Sequence, residues 1–450
     1  VGVRAVGAAA VLASVALFER AAATEYGAAA RWGAMWFAVA ALGDVWSGRV
    51  TFALGVSFAL GAALALMRGR PLVAAALAAV CAACSPVAGA LLALAGLTHS
   101  LAARSPRSLV VLGGPPAVVV AALAGLFPEG GREPYPLLSF LASAAVAVGF
   151  LWAVPARERL LRIGGAVYLA ACVACVAVHT PVGANVERYG VLLAGPLLLC
   201  ALLASRARPS AVAAVVLVGI GVWTVWGPVR ETAAVAGNAS TSASYYVPVE
   251  RFVAAHGGPL VRLEVPFTRG HWEAAWLAQK VSLARGWEKQ LDERYDGVLL
   301  AKGLTAARYR GWLHEEAVRY VALPDAPLDP SSAQEGRLIE AGVPYLREVR
   351  RTRHWRIYEV LDPTPLAQGP GALSAMGHDW FTLRARAPGR FTVRVRYTRY
   401  WTVTAGAACV GQAPGGWTEV VARRAGAVSV AARFSLGRAV GLEGSSCRSA

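Results

Sequence analysis

A chain of 450 residues has room for two or three domains and a large core. Its composition points elsewhere: 56% of the residues are hydrophobic and only 16% charged, against about 25% charged in a typical soluble domain. A disordered chain, a coiled coil and an ordinary cytosolic enzyme are thereby excluded. The net charge of +17 would suit a nucleic-acid partner, but only three of the 44 basic residues are lysines (Lys280, Lys289, Lys302). An arginine-, alanine-, glycine- and valine-rich bias is what a GC-rich bacterial genome produces without selection for binding. The arginines form neither a basic block nor an aromatic-interleaved stripe, so no nucleic-acid partner is expected.

Apolar runs long enough to cross a bilayer, roughly 17–25 residues, fill the first half of the chain and stop near Trp226. Weak spans are predicted over 1–18 and 32–45, and clear ones over 51–67, 109–127, 137–154, 163–178, 189–204 and 211–226. The run 72–101 is broken at Cys84-Ser85-Pro86 and reads as two short helices, because proline removes a backbone donor. Gly113-Gly114-Pro115-Pro116 reads as a helix break rather than a phosphate loop. The expectation is a polytopic α-helical membrane domain of about ten helices. Short basic loops at Arg68/Arg70, Arg104/Arg107, Arg157/Arg159/Arg162 and Arg206/Arg208 alternate with loops poor in net positive charge. Basic loops stay in the cytoplasm, which puts Val1 and everything after Trp226 outside it in a bacterial cell membrane. A start on Val, directly on a span, allows two readings: a GTG start written as Val, or a missing upstream helix and loop. The second is the expectation.

Two CxxC pairs, Cys81/Cys84 and Cys172/Cys175, lie in apolar helices without a neighbouring cation to lower a thiol pKa. They read as buried small hydrophobes. Cys409 and Cys447 fall in the part read as extracytoplasmic, where a bridge between them is permitted but not required. No metal-ligand spacing, Walker motif or nucleophile elbow stands in a suitable context.

Beyond Trp226 the texture changes. The domain reading is a transmembrane domain over 1–227, a linker over 228–248, an extracytoplasmic α/β domain over 249–368 and a β-sandwich-like module over 369–450. Strands are predicted over 260–266, 318–323, 345–349 and 355–360, with helices over 271–278, 305–316 and 332–341. Period-two alternation with Gly/Pro turns then predicts strands over 380–386, 390–397, 401–404, 418–422 and 427–434.

Several motifs carry a resemblance. They are Gly48-Arg49-Val50-Thr51-Phe52-Ala53-Leu54-Gly55, Ser85-Pro86-Val87-Ala88-Gly89 and Asn185-Val186-Glu187-Arg188, with the soluble His271-Trp272-Glu273 and Arg285-Gly286-Trp287-Glu288. With many helices and a C-terminal α/β-plus-β region, the chain resembles bacterial GT-C-type membrane glycosyltransferases. It is similar in feel to the actinobacterial 6-pyruvoyl-tetrahydropterin-synthase-related and YfhO-like membrane proteins. The resemblance implies transfer of a sugar from a polyprenyl-phosphate donor to a cell-envelope glycan or lipid acceptor at the outer membrane face. In that family the catalytic acid lies in the first extracytoplasmic loop, which the expected truncation would remove. Such enzymes can use a divalent ion, so the cofactor stays open.

Glycosyl transfer to a hydroxyl needs a carboxylate to take its proton and cations to hold the donor phosphate. Carboxylates at the outer ends of spans are Asp44, Glu129 and Glu133, any of which also suits a solvated helix end or loop. Arg49 and Arg188 are the phosphate candidates, with headgroup snorkelling as the plainer role. His271, Trp272, Glu273, Arg285, Trp287 and Glu288 follow a strand end and would bind the acceptor sugar, or equally form a buried ion-paired network. Two further classes remain: a non-catalytic envelope assembly or glycan-binding protein, and a transporter or flippase. The second lacks the expected internal repeats and intramembrane charges.

Overall fold

The computed structural model describes residues 2–205, 210–287, 289–442 and 447. It divides into two compact units, Val1–Ala233 and Ala234–Ala450. Glu288, Arg206 and Arg208 from the sequence reading lie outside the described residues.

The first unit is helical throughout. Its helices are α1 (Val3–Tyr26), α2 (Ala30–Trp46), α3 (Val50–Met67), α4 (Pro71–Cys84), α5 (Pro86–Ala103), α6 (Arg107–Leu126), α7 (Leu137–Ala153), α8 (Arg159–Ala177), α9 (Glu187–Ala204) and α10 (Ala211–Val235). Among the described residues seven helical segments are long and apolar enough to cross a membrane, the first being α1 and α2 together. The 14-residue α4 rises only about 21 Å, short of a hydrocarbon core of about 30 Å. The 17-residue α7 is likewise shorter than each of those seven segments. Leu138, Trp152 and Val215 point outward and stay exposed, as side chains facing lipid would.

The break between α4 and α5 falls where proline requires it, and the Ser85 hydroxyl accepts the Ala88 amide (3.3 Å) to start α5. Gly113-Gly114-Pro115-Pro116 does not break its helix. Helix α6 runs through Pro115 and Pro116, an outcome that spans tolerate when neighbouring helices re-satisfy the freed carbonyls. Close approach elsewhere depends on missing side chains. A Cβ on Gly195 would meet the Trp36 indole at 2.4 Å, and one on Gly33 would meet Cys200 Sγ at 2.3 Å. The indole is held in that gap by a bond from Trp36 Nε1 to Thr224 Oγ1 (3.2 Å), which joins α2, α9 and α10. Cys81 and Cys172 are buried, and both CxxC pairs are unbridged.

The second unit begins with α11 (Ala243–Ala255). Helix occupies both ends of the stretch read as a linker, because α10 continues to Val235. A five-stranded sheet follows: β1 (Arg262–Glu264), β2 (Ser282–Leu283), β3 (Val318–Pro324), β4 (Leu346–Arg351) and β5 (Trp355–Val360), ordered β2-β1-β3-β5-β4. The first three are parallel, and β5 and β4 are added antiparallel. Helices α12 (Trp272–Trp276), α13 (Lys289–Tyr295), α14 (Gly297–Leu300), α15 (Ala306–Glu315) and α16 (Ala333–Glu340) connect the strands. Apolar clusters cover both faces, one built on Tyr246, Leu263 and Trp355, the other on Tyr309, Leu313 and Val321. Strand β3 feeds both, which explains its nearly unbroken apolar run.

The remaining strands are β6 (Ala367–Gln368), β7 (Gly371–Met376), β8 (Trp380–Ala385), β9 (Gly389–Arg396), β10 (Trp401–Ala405), β11 (Ala408–Gln412), β12 (Trp417–Ala422) and β13 (Gly426–Ala432). They form two four-stranded sheets, β10-β13-β8-β7 and β11-β12-β9-β6, around Phe381, Leu383, Phe391, Val420 and Val430. Cys409 on β11 is bridged to Cys447, with Cα atoms 5.2 Å apart.

Arginines fasten this sandwich to the α/β sheet. Arg262 of β1 is buried and donates to the carbonyls of Glu316 (2.7 Å) and Arg394 (2.5 Å). Arg394 pairs with Glu315 (3.0 Å) and Arg396 with Glu316 (2.5 Å). Arg396 lies 3.8 Å over the Trp417 ring, whose Nε1 donates to Glu315 (2.6 Å). Burial raises the Glu316 carboxyl to about 7, although Arg396 and Arg262 pull the other way.

Two outcomes are expected. Gly195→Val drives a side chain into the Trp36 indole and should lower stability by about 1–3 kcal/mol, read as earlier thermal unfolding in detergent. Glu316 holds its proton more tightly folded than unfolded, so its contribution is complete below its ordinary value of 4.5 and is lost as pH rises through about 7. The melting temperature of Glu316→Gln should therefore vary less over that window than that of the unsubstituted protein.

Candidate functional site

At one end of the helical unit, four chain segments converge: the α2–α3 turn, the α6–α7 loop, the α8–α9 loop and the end of α10. The α2–α3 turn is closed by the Arg49 amide bonding the Asp44 carbonyl (2.8 Å), with Gly48 in the left-handed region (φ 76°). That turn brings Arg49 back over Asp44, and the guanidinium sits 3.5 Å from the carboxylate. Asp44 is only 6% exposed, unusual for a carboxylate at a helix end. The end of α2 is fixed to α10 by bonds from Ser47 Oγ to Glu231 (2.9 Å) and from Trp46 Nε1 to Thr232 (2.8 Å).

The other two loops are joined through backbone. The Glu133 amide donates to the Thr180 carbonyl (3.1 Å). Gly183, at φ +42°, lies so near the Glu133 carbonyl that a Cβ would come within 1.9 Å of its oxygen. A glycine is required there twice over, by conformation and by space. Arg188, in the first turn of α9, packs its guanidinium 4.8 Å over the Phe52 ring. It lies within the electrostatic reach of Asp44, Arg49 and Glu133. Asp44, Glu133, Arg49 and Arg188 are thus brought together, whereas Glu129 lies exposed in its loop. The sequence reading missed Glu187. Its Oε1 is buried with no hydrogen-bond partner among the described residues, and the carboxyl feels Ser143, Arg49 and Arg230. The only signal was its place beside Arg188 in Asn185-Val186-Glu187-Arg188.

The second unit has its own polar cluster at the C-terminal ends of β1 and β2, where ligand crevices of parallel sheets form. His271 takes a left-handed conformation (φ 55°) and stacks on Trp287, centroids 4.5 Å apart and planes within 6°. Its ring nitrogens lie 3.8 Å from Glu273 and 3.6 Å from Asp329. Glu273 is buried and accepts from the Thr268 amide (3.2 Å) and hydroxyl (2.5 Å). Burial raises its carboxyl, and those two bonds oppose the shift. Trp287 is 56% exposed. Trp272 turns away to stack on Trp276 and pack against the apolar cluster under α11.

Arg285 is held elsewhere, beneath Phe267. Its guanidinium is 2.8 Å from Glu264 and 2.5 Å from Glu335, with all three side chains at most 2% exposed. It lies 4.1 Å over the Phe267 ring, and Ser332 and Tyr309 complete the network. Burial works against the cation, but Glu264 and Glu335 hold the guanidinium firmly protonated. Arg285 is therefore part of an interior ion network rather than an open surface. Among the described residues no group of three or more His, Cys, Asp or Glu side chains is placed to hold a metal ion.

No family model matches the chain. No curated protein matches it either. Among solved structures it is similar to ArnT from Cupriavidus metallidurans in the apo state (TM-score 0.40, 14% identity, 79% of this chain and 83% of that one). It is also similar to the arabinofuranosyltransferase AftD from Mycobacteria (TM-score 0.35, 16% identity, 82% of this chain). The aligned region spans 35% of the AftD chain.

The two clusters offer different chemistry. The helical unit offers a sequestered carboxylate with one guanidinium at 3.5 Å and a second within electrostatic reach, suited to taking a proton near a bound phosphate. The second unit offers an exposed indole backed by an imidazole. Its Arg285 network should behave as structure. Arg285→Met leaves two buried carboxylates uncompensated and should destabilise the unit by about 3–5 kcal/mol, measurable as loss of protease resistance and a lower melting temperature.

Proposed function

We propose that the chain is a GT-C-like membrane glycosyltransferase that moves a sugar from a polyprenyl-phosphate donor to a cell-envelope glycan or lipid acceptor at the outer face. The observation that carries this reading is the buried Asp44 carboxylate with Arg49 at 3.5 Å and Arg188 in its field. Seven membrane-crossing segments supply the setting for a lipid-linked substrate. Basic loops at Arg68/Arg70, Arg104/Arg107 and Arg157/Arg159/Arg162 favour the opposite end as cytoplasmic, which supports reading this cluster and the C-terminal unit as lying outside.

In this reading Arg188 and Arg49 bind the donor phosphate as it becomes the leaving group. Bond breaking at the anomeric carbon puts negative charge on that phosphate, and fixed guanidinium groups stabilise charge that develops there. Asp44 accepts the acceptor hydroxyl proton, and Glu133 sits on the same wall. Arg49 leaves Asp44 as phosphate arrives, freeing the carboxylate at the step that needs it. Within the C-terminal unit, Trp287 and His271 form a stacking surface for acceptor sugar, with Glu273 as a hydroxyl acceptor.

Proteoliposomes holding the purified chain and a radiolabelled polyprenyl-phosphate sugar test the reading. Incorporation into extracted envelope acceptor should fall about 10²-fold or more in Asp44→Asn. Arg188→Ala should abolish it, while Glu129→Gln should leave it near the unsubstituted level. Full incorporation by both Asp44→Asn and Arg188→Ala would remove this cluster from the reaction.

A further inference from the structure

The outer face of one sandwich sheet carries a polar depression. On β8, Phe381, Leu383 and Ala385 point into the core, which turns Trp380, Thr382 and Arg384 outward. On β13, Val428 and Val430 point inward and Ser429 and Ala431 outward. Register then builds two adjacent rows. Thr402, Ala431 and Trp380 stand side by side in one, and Ser429, Thr382 and Ala375 in the next. Small side chains in the middle leave a depression of about 440 Å³, rimmed by Trp380, Asp379 and Arg433 and floored by Thr382, Thr404 and Ser429.

The indole on its rim is positioned by construction. The Gly377 amide bonds the Trp380 carbonyl (2.8 Å), closing the β7–β8 turn. A Cβ on Gly377 would lie 2.3 Å from Trp380 Nε1 and 2.7 Å from Cε2. The ring therefore rests on the glycine backbone, and only a residue without a side chain allows it. Its cross-strand neighbour is Ala431, too small to cover it, and the side chain remains 42% exposed. Inside the apolar core an indole of this size would bury far more surface. Here a backbone contact holds it at the mouth of a polar depression.

We propose that this depression binds a neutral carbohydrate, one sugar face lying on Trp380 and its hydroxyls meeting the floor. Three observations select that class. The floor carries hydroxyl groups that both donate and accept, with the Thr382 and Ser429 hydroxyls already 3.0 Å apart. Asp379 and Arg433 contribute one charge of each sign at the rim, so the site has no net charge with which to select an anion. The exposed aromatic face suits the apolar C–H face of a sugar ring. The site does not depend on the transferase reading, since it lies wholly in the sandwich and binds rather than reacts.

The test uses the full chain in detergent with four neutral probes, the hexasaccharides of xylose, mannose, galactose and arabinose, and a heparin hexasaccharide as the anionic comparison. At least one neutral probe should bind in titration calorimetry. Trp380→Ala should weaken it tenfold or more with an unchanged melting temperature, while Trp380→Phe, which keeps a stacking face, should retain most of the affinity. Gly377→Val should also weaken it, by displacing the indole. Binding by none of the four, equal binding by Trp380→Ala, or tighter binding of heparin would each overturn the proposal. Transferase activity is not the readout, so loss of the transferase reading would leave this result standing.

Discussion

Removing a charge from water without a partner is among the most expensive things a fold can do, and that penalty organises both units. In the helical unit, whose first 227 residues carry only 15 arginines and 7 acidic residues, charges gather at helix ends. Asp44 is the instructive case, because it is buried all the same. Its turn closes so that Arg49 comes back to it, and Arg188 is held on Phe52 nearby. In the C-terminal unit the same penalty is met in the interior. Arg285 lies between two carboxylates, and Arg262 spends its guanidinium on two backbone carbonyls. Arginine suits such places because its donors are fixed in a plane and its charge is weakly hydrated. An arginine-rich composition that looked like genomic bias thus includes several side chains that hold the fold together.

Much of the architecture was legible from periodicity. Spans declare themselves by length and apolarity, and strands such as Trp380–Ala385 and Gly426–Ala432 by alternation. The helix break at Ser85-Pro86 was legible because a lone proline was read with soluble-protein rules that happened to apply. The same rules failed at Pro115-Pro116, where packed neighbours let α6 continue. Strands β7 and β11 escape because Gly371, Ala372, Ser374 and Ala375 in the one and Ala408 and Gly411 in the other leave too little contrast to show a period.

The candidate site was legible residue by residue but not as a geometry. Asp44, Arg49 and Arg188 could each be named as helix-end charges. Nothing local shows that Arg188, far along the chain, shares a field with Asp44. Glu187 carries no local signal beyond its place beside Arg188. The soluble cluster divided for a similar reason. Arg285 and Trp287 are two residues apart, yet one reaches inward to Glu335, 50 positions away, and the other lies at the surface. Close neighbours on an irregular segment can face opposite ways, and only the long-range partner decides which way.

Arg262 also bears on the order in which the second unit comes together. It belongs to the first strand of the α/β sheet, yet its partners lie 54 and 132 residues further on. While the chain is still being made, β1 can pair with β2 and β3, but its guanidinium keeps an unmet donor until β9 arrives. The sheet is therefore finished by the sandwich that follows it. A nascent or prematurely terminated chain would present an incomplete seam to proteases, and the two halves would mature as one cooperative body rather than in succession.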